Sequence, residues 1–348
     1  MPSQPPLSPL LTPYLSTQPE SSLTLVSSIL GATSNWLALR FLYAALHGSA
    51  GSNASLGFED LPNGFKKRVV LVSFLRGWEF WRAEAKRLGL DLARLADKQQ
   101  FAFVDGLSEL FSGPQTGNAS SNTSPMNASS TPRGTLPLRS QPGSVPGRLP
   151  PPVASSERNG NVTARPTEIG VAKKLHFSGR GTAALDALEK DIMAVTQQLK
   201  SSLEGGEDLL LIIDQPDLLL AATGPEFGIG ATEMAEWVTG LQENAYATVL
   251  TLAADSPLIH NASASGHQMA TPVETEHAAF AIGLAHRARA VMQLRTLETG
   301  AARDVSGVLR ISRGGDWSMK TEDSLEEREL LYYIQRDGGV RVFGRGES

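Results

Sequence analysis

The sequence contains no cysteine and no apolar run long enough to cross a membrane. Without cysteine there is no disulfide framework, no catalytic thiolate and no cysteine-ligated metal site. A membrane helix needs about 20 consecutive apolar residues, and no stretch approaches that length. The first twenty residues also lack lysine and arginine, which a secretory signal peptide carries at its start. We therefore expect no membrane association and a cytoplasmic protein, with the nucleus left open as a second location.

A strong excess of charge of either sign is also lacking. The formal net charge is -5 and the isoelectric point is near 5.8, which argues against general binding of polyanions but leaves a local basic patch possible. Apolar residues make up 41% of the chain, as is ordinary for a protein with a real core. A chain of 348 residues can form one large domain or two ordinary ones.

The stretch Leu209–Asp214 consists of five large apolar residues followed by an acid, and a turn containing Pro216 comes next. An apolar run of this kind predicts a strand buried on both faces, as in a parallel sheet covered by helices. An acid at the carboxyl end of such a strand lies where open α/β sheets bind ligands. In nucleotide hydrolases this is the Walker B position, which helps to hold Mg²⁺. The alternative is that Asp214 simply ends the strand.

A second candidate site follows the first predicted strand, residues 22–30. The loop Gly31–Asn35 leads into a helix at 36–46 for which Ser34 or Asn35 is a suitable N-cap, and this is the geometry of a phosphate-binding loop. The pattern G-x-x-x-x-G-K-[ST] is incomplete, because the second glycine, the lysine and the adjoining hydroxyl are missing. Gly31, Thr33, Ser34 and Asn35, together with Asp214, therefore mark a degenerate nucleotide site. The alternative is an ordinary strand-to-helix turn.

The remaining patterns predict a single α/β domain interrupted by a long insertion. Residues 1–20 are expected to be a disordered tail, residues 21–111 the first part of the domain, and residues 171–348 the second part. Residues 112–170 are rich in Ser, Pro, Gly and Asn, and such a segment cannot bury enough apolar surface to order itself. Strands alternate with helices along most of the domain, and the chain ends in antiparallel strands with an Asp337-Gly338 hairpin turn.

No catalytic or metal site is apparent in the other polar residues. The spacings of His260, His267, His277 and His286 match no standard pair of metal ligands, and we expect solvent or partner contacts for them. No serine lies in a G-x-S-x-G context. We therefore predict a protein without catalytic residues, bound metal or cofactor.

Basic residues offer a candidate surface for phosphates. The full set is Lys66, Lys67, Arg68, Arg76, Arg310, Arg313, Arg336, Arg341 and Arg345, of which Arg76, Arg310, Arg313 and Arg341 are the predicted contacts with RNA or with a partner. The last five of the set come from the two antiparallel strand regions, which allows a shared edge. The alternative is scattered surface charge.

Several stretches carry a resemblance to a known family. They are Val69–Phe74, Arg76–Trp81, Gly89–Leu92, Phe101–Leu107, Leu209–Pro216 and Gly228–Met234. Together they resemble the fungal family of the sixth Elongator subunit, over roughly residues 23–111 and 170–343.

The resemblance implies a RecA-like fold without intact Walker motifs. It also implies a hexameric ring with the fourth and fifth Elongator subunits, two copies of each, which binds tRNA and docks on the larger Elongator subunits. The complex makes carbonylmethyl-type modifications of the wobble uridine. Two alternatives remain: a self-sufficient NTPase with an atypical phosphate loop, and an assembly scaffold that contacts only proteins.

Overall fold

A single sheet of ten strands runs through the part of the chain that the computed structural model describes, residues 7–16, 18–47, 67–112, 170–201, 208–259, 270–297, 302, 304–316 and 325–345. The strands are β1 Ser22–Ser28, β2 Arg68–Ser73, β3 Phe101–Asp105, β4 Val171–Lys174, β5 Leu209–Asp214, β6 Ala247–Ala253, β7 Ala290–Arg295, β8 Gly307–Arg313, β9 Arg328–Ile334 and β10 Val340–Gly344. All described residues belong to one unit, Met1–Gly113 together with Glu168–Ser348.

Helices connect most of these strands. They are α1 Thr12–Ser16, α2 Asn35–His47, α3 Trp78–Arg87, α4 Leu92–Asp97, α5 Gly181–Ser201, α6 Asp217–Thr223, α7 Ala231–Glu243, α8 Ser256–Ile259 and α9 Pro272–Arg287, with a 3-10 turn at Pro225–Phe227. Within the described residues, none of the helices has the length and apolar character required to cross a bilayer.

The strand order is β10-β9-β8-β7-β1-β6-β5-β2-β3-β4. Seven neighbouring strands are parallel: β7, β1, β6, β5, β2, β3 and β4. Strands β8, β9 and β10 extend the sheet beyond β7 in antiparallel pairs. The prediction of an α/β fold with a mostly parallel sheet and antiparallel strands at the end is therefore confirmed. Because β1 lies between β6 and β7, the sheet differs from dinucleotide-binding and flavodoxin-like sheets, in which the first strand neighbours the second.

Strand β5 shows why helices cover both faces of the parallel strands. All six of its residues are buried. Leu210 and Ile212 belong to an apolar cluster that includes α2 and α3, whereas the alternate residues Leu209, Leu211 and Ile213 belong to a second cluster with α5, α7 and α9. Burying a side chain of this size contributes about 1.5–3 kcal/mol, so both helical layers are stabilised by contact with this strand.

The beginning of the chain differs from the prediction of a disordered tail. In the described residues 7–16 and 18–20, helix α1 packs on the first apolar cluster through Leu11, Tyr14 and Leu15, which are all buried. The Tyr14 hydroxyl donates a hydrogen bond to the Glu326 carbonyl at 2.9 Å. The spacing i, i+3, i+4 of the three apolar residues gives the segment one helical face despite its prolines.

Both flanks of the predicted insertion belong to the same sheet. Strands β3 and β4 pair in parallel, although 65 residues separate Asp105 from Gly170. Residues 113–169, which include almost all of the predicted disordered insertion, lie outside the described residues.

Candidate functional site at the carboxyl edge of the sheet

Four polar residues stand in one row where neighbouring parallel strands end. In register, Asp105 on β3 pairs with Ser73 on β2, Ser73 with Asp214 on β5, and Asp214 with Thr251 on β6. Because parallel strands all end at the same edge, strand pairing brings together residues that are far apart in the chain. This row is the place where open α/β sheets bind ligands.

Asp214 is fully buried and its carboxylate is occupied by protein donors. The Ser73 hydroxyl donates to Oδ2 at 2.8 Å, and the Thr251 hydroxyl donates to Oδ1 at 2.9 Å. Arg76 places Nη1 at 3.1 Å from Oδ1 and 3.2 Å from Oδ2, and only 15% of the Arg76 side chain is exposed. The backbone N–H of Arg76 also donates to the Ser73 hydroxyl at 3.1 Å, which fixes the turn after β2.

The Arg76 guanidinium is the cation of this site. Burial raises the pKa of the Asp214 carboxyl, whereas the charge of Arg76 and the hydrogen bonds from Ser73 and Thr251 oppose that rise. A Mg²⁺ ion held by Asp214 would have to compete with Arg76 for the same two oxygens. The arrangement therefore does not fit a Walker B metal site, and Arg76, predicted from sequence as an RNA or partner contact, instead forms a buried ion pair.

The loop before α2 does not provide side chains for a phosphate either. The positions at which a phosphate-binding loop carries Gly, Lys and Ser or Thr are Trp36, Leu37 and Ala38, and all three are buried in the first apolar cluster. A buried apolar helix turn leaves no place there for the lysine that contacts the β- and γ-phosphates.

The residues predicted in that loop have different environments. Gly31 has a φ of +90°, which favours glycine, and Thr33 is exposed. Ser34 stands at the N-cap, because its carbonyl accepts the N–H groups of Leu37 and Ala38. The Ser34 hydroxyl is buried without a hydrogen-bond partner among the described residues, so it does not act as the predicted side-chain cap. The helix begins at Asn35, which is half-buried.

The two halves of the predicted nucleotide site follow strands that are one strand apart in the sheet. Strand β6 lies between β1, which leads into the Gly31 loop, and β5, which ends at Asp214. Two strand spacings amount to roughly 10 Å. No hydrogen bond in the described part of the chain joins Gly31, Thr33, Ser34 or Asn35 to Asp214.

A pair of buried ionisable residues close to this edge was not predicted. Asp217 begins α6 and His277 lies on α9, and both are almost completely buried. His277 Nε2 lies 3.3 Å from Asp217 Oδ2, and Nδ1 lies 3.0 Å from the Leu258 carbonyl oxygen. The Leu258 carbonyl can only accept, so it takes its hydrogen bond from Nδ1–H, and a proton on Nε2 lets the ring donate to Asp217 as well.

The charge of His277 depends on its acidic neighbours. Burial lowers the pKa of His277, but the hydrogen bond and charge of Asp217, the Leu258 carbonyl and the charge of Asp255 more than compensate, so that the net shift is upward from 6.5. The expectation of solvent or partner contacts is thus wrong for His277, whereas His286 on the same helix is exposed. His260 and His267 lie outside the described residues.

The other predicted basic contacts fall on opposite faces of the antiparallel strands. Arg310 and Arg341 are exposed on one face, away from the first apolar cluster. Arg313 is three residues from Arg310, on the face of Leu309 and Ile311, and its Nε donates to the Leu325 carbonyl at 3.2 Å. Side chains alternate along a strand, so Arg313 cannot act together with the other two.

No group of three or more His, Asp and Glu residues that could hold a metal ion occurs in the described ranges. Neither the comparison with models of protein families nor the comparison with curated proteins gives a match.

We predict that Arg76→Ala lowers the free energy of unfolding by about 3–5 kcal/mol, because it leaves the Asp214 carboxylate buried without its cation. Urea unfolding followed by tryptophan fluorescence measures this. The matched control is Arg82→Ala, which removes an arginine that is 54% exposed and paired with an exposed glutamate, and which should change stability by less than about 1 kcal/mol. In the background of Asp214→Asn, the Arg76→Ala effect should shrink by more than half. Equal effects in both backgrounds would contradict the ion pair.

We also predict that His277 makes stability depend on pH. Since its pKa is raised in the folded state, the protonated form stabilises the fold fully below about pH 6.5, and this contribution is lost as pH rises through the folded-state pKa. The difference in unfolding free energy between the wild type and His277→Gln should therefore be larger at pH 5.5 than at pH 9. His286→Gln, which alters an exposed histidine of the same helix, should show no such trend. A difference that is constant with pH would exclude a charged His277.

Proposed function

We propose that this chain is a non-catalytic, RecA-like subunit of the Elongator complex. In this proposal it forms a hexameric ring with the fourth and fifth Elongator subunits, and the ring binds tRNA, docks on the larger subunits and supports modification of the wobble uridine. The observation that carries the proposal is the combination of a mostly parallel α/β sheet with a buried Asp214 carboxylate at its carboxyl edge that pairs with Arg76.

The order of the parallel strands supports the RecA-like part of the proposal. In RecA-like domains one strand separates the strand that leads into the phosphate loop from the strand that ends in the Walker B acid. Here β6 separates β1 from β5 in the same way, and β2 follows on the other side of β5. Such a sheet without its catalytic residues is expected of a subunit whose role is assembly.

The described geometry also favours a subunit without its own hydrolysis. Arg76 neutralises the acid at the Walker B position, and the first turn of α2 is apolar and buried. Asp105, the other acid at this edge, accepts the N–H groups of Leu107 and Ser108 at 2.9 Å and so caps its own turn. These contacts hold the carboxylates at the edge in structural roles.

Assembly with partners is the direct test of the proposal. When the chain is co-expressed with the fourth and fifth Elongator subunits, we expect one complex with two copies of each, measured by size-exclusion chromatography with light scattering. A chain that elutes at its monomer mass of 37.1 kDa in the presence of both partners would overturn the proposal. Arg76→Lys, which keeps the cation of the buried pair, serves as a folded control.

The alternative of a self-sufficient NTPase is motivated by Asp214 at the end of β5. We predict that the isolated wild-type chain hydrolyses neither ATP nor GTP above a no-protein blank, because Arg76 contacts both carboxylate oxygens of Asp214. Phosphate release is the measurement, with Asp214→Asn as the matched variant. Hydrolysis by the wild type that is lost in Asp214→Asn would favour the NTPase instead.

The second alternative, a scaffold that contacts only proteins, is favoured by the net charge of -5. It differs from the leading proposal only in the absence of RNA contacts, and the experiment described in the next subsection distinguishes the two.

A further inference from the structure

The antiparallel strands carry a concentrated positive charge on one face. Arg295, Arg310, Arg341 and Arg345, together with Tyr333 and Phe343, define what we call the arginine face. Residues that alternate with them along the same strands, among them Leu294, Leu309, Tyr332 and Val342, pack on the first apolar cluster. Because side chains alternate across a strand, the arginine face is the opposite side of β7–β10.

Strand register aligns these side chains in rows. The first row runs from Gln293 through Arg310 to Glu329, and Arg345, the residue after β10, forms an ion pair with Glu329. The second row is Arg295, Val308, Leu331 and Phe343, and in the third Tyr333 stands opposite Arg341. Along β10 and the residue that follows it, a cation, an aromatic ring and a cation therefore occupy alternate positions.

The charge on this face is unbalanced. Glu329 is the one acid that faces the four arginines in these rows, and it contacts Arg295 Nη2 at 2.7 Å through Oε2 and Arg345 through Oε1. Arg310 and Arg341 are exposed and form no ion pair with any described residue. A surface with this excess of cations on a chain of net charge -5 is complementary to a polyanion.

The arginine face also lacks the helical cover found on the parallel strands. The second apolar cluster, which lies on the same side of the sheet, contains residues of α5, α7 and α9 but none of β8, β9 or β10 among its described members. Tyr333 and Phe343 are only partly buried. Aromatic rings on a flat sheet, surrounded by arginines, can stack on unpaired bases while the arginines contact the phosphates.

We propose that the arginine face binds single-stranded RNA, with Tyr333 and Phe343 stacking on bases and Arg310 and Arg341 contacting phosphates. This inference deepens the RNA-binding part of the proposed function and rests on it. Base-paired RNA is a poorer occupant, because its stacked bases cannot reach the aromatic rings. An acidic protein would use the arginines but not the stacking of bases.

Fluorescence anisotropy with a labelled 12-nucleotide oligouridine tests the proposal, with the full chain alone and in the assembled ring. The variant Arg310→Gln/Arg341→Gln should weaken binding on the order of tenfold at 0.1 M salt. It should also reduce the slope of log affinity against log salt by about 1.4, since each single-strand phosphate contact accounts for about 0.7. Phe343→Leu, which keeps apolar bulk but removes the ring, should weaken binding about fivefold.

The matched control is Arg82→Gln/Arg94→Gln, which removes the same charge from exposed arginines of α3 and α4 and should leave affinity unchanged. Equal losses in the arginine-face variant and the control would overturn the proposal. So would competition by an RNA duplex or by polyglutamate as effective as that by the unlabelled oligouridine. A ring that fails to assemble while Arg310→Gln/Arg341→Gln still weakens RNA binding would overturn the proposed function alone.

Discussion

A carboxylate at the end of a fully buried strand has to be neutralised inside the protein, and much of the carboxyl edge follows from this requirement. Asp214 ends β5, which packs against helices on both faces, so water does not reach it. Leaving such a charge unpaired would be more destabilising than most single interactions can offset. Arg76, Ser73 and Thr251 supply the donors: Ser73 and Thr251 lie on the two strands that flank β5, and Arg76 lies in the turn after β2. Because β2 and β6 are the neighbours of β5, the strand order brings these donors to the buried charge of Asp214.

The same edge holds a second buried ionisable group, the imidazole ring of His277, whose pKa is raised by its acidic neighbours. It joins Asp217 at the start of α6 to the Leu258 carbonyl and thereby fixes α9 against the loops that follow β5 and β6. With Arg76 on Asp214, His277 on Asp217 and backbone N–H groups on Asp105, the acids at this edge are paired within the protein. These pairs stabilise the carboxyl edge, and they leave few of its carboxylate oxygens available to a ligand. The acids at the ends of these parallel strands thus make structural contacts.

The sequence was sufficient for the architecture because the signals involved are local. Five apolar residues before Asp214 predicted a strand buried on both faces, and the hairpin at Asp337-Gly338 predicted the antiparallel end. The partners of Asp214 and Asp217 could not be predicted, because Arg76 and His277 are 138 and 60 residues away and only the folded sheet brings them close. Two further features of the structure had signals in the sequence. Leu11, Tyr14 and Leu15 have helical spacing, and Arg310 and Arg313, three residues apart in a strand, must lie on opposite faces.

The parallel strands of the sheet are covered by helices on both faces, whereas the antiparallel strands leave one face without helices. Crossover connections between parallel strands place helices on both faces, whereas hairpin connections place none. Strands β8 to β10 can therefore keep one face on the core and leave the other available, as the alternation of Leu309 with Arg310 and of Val342 with Arg341 shows. Arg76, which is largely buried, is paired at the carboxyl edge of the parallel strands, whereas Arg310 and Arg341 are exposed on the antiparallel extension. Recognition of an anion by the described part of this chain is thus expected on the antiparallel strands rather than at the carboxyl edge.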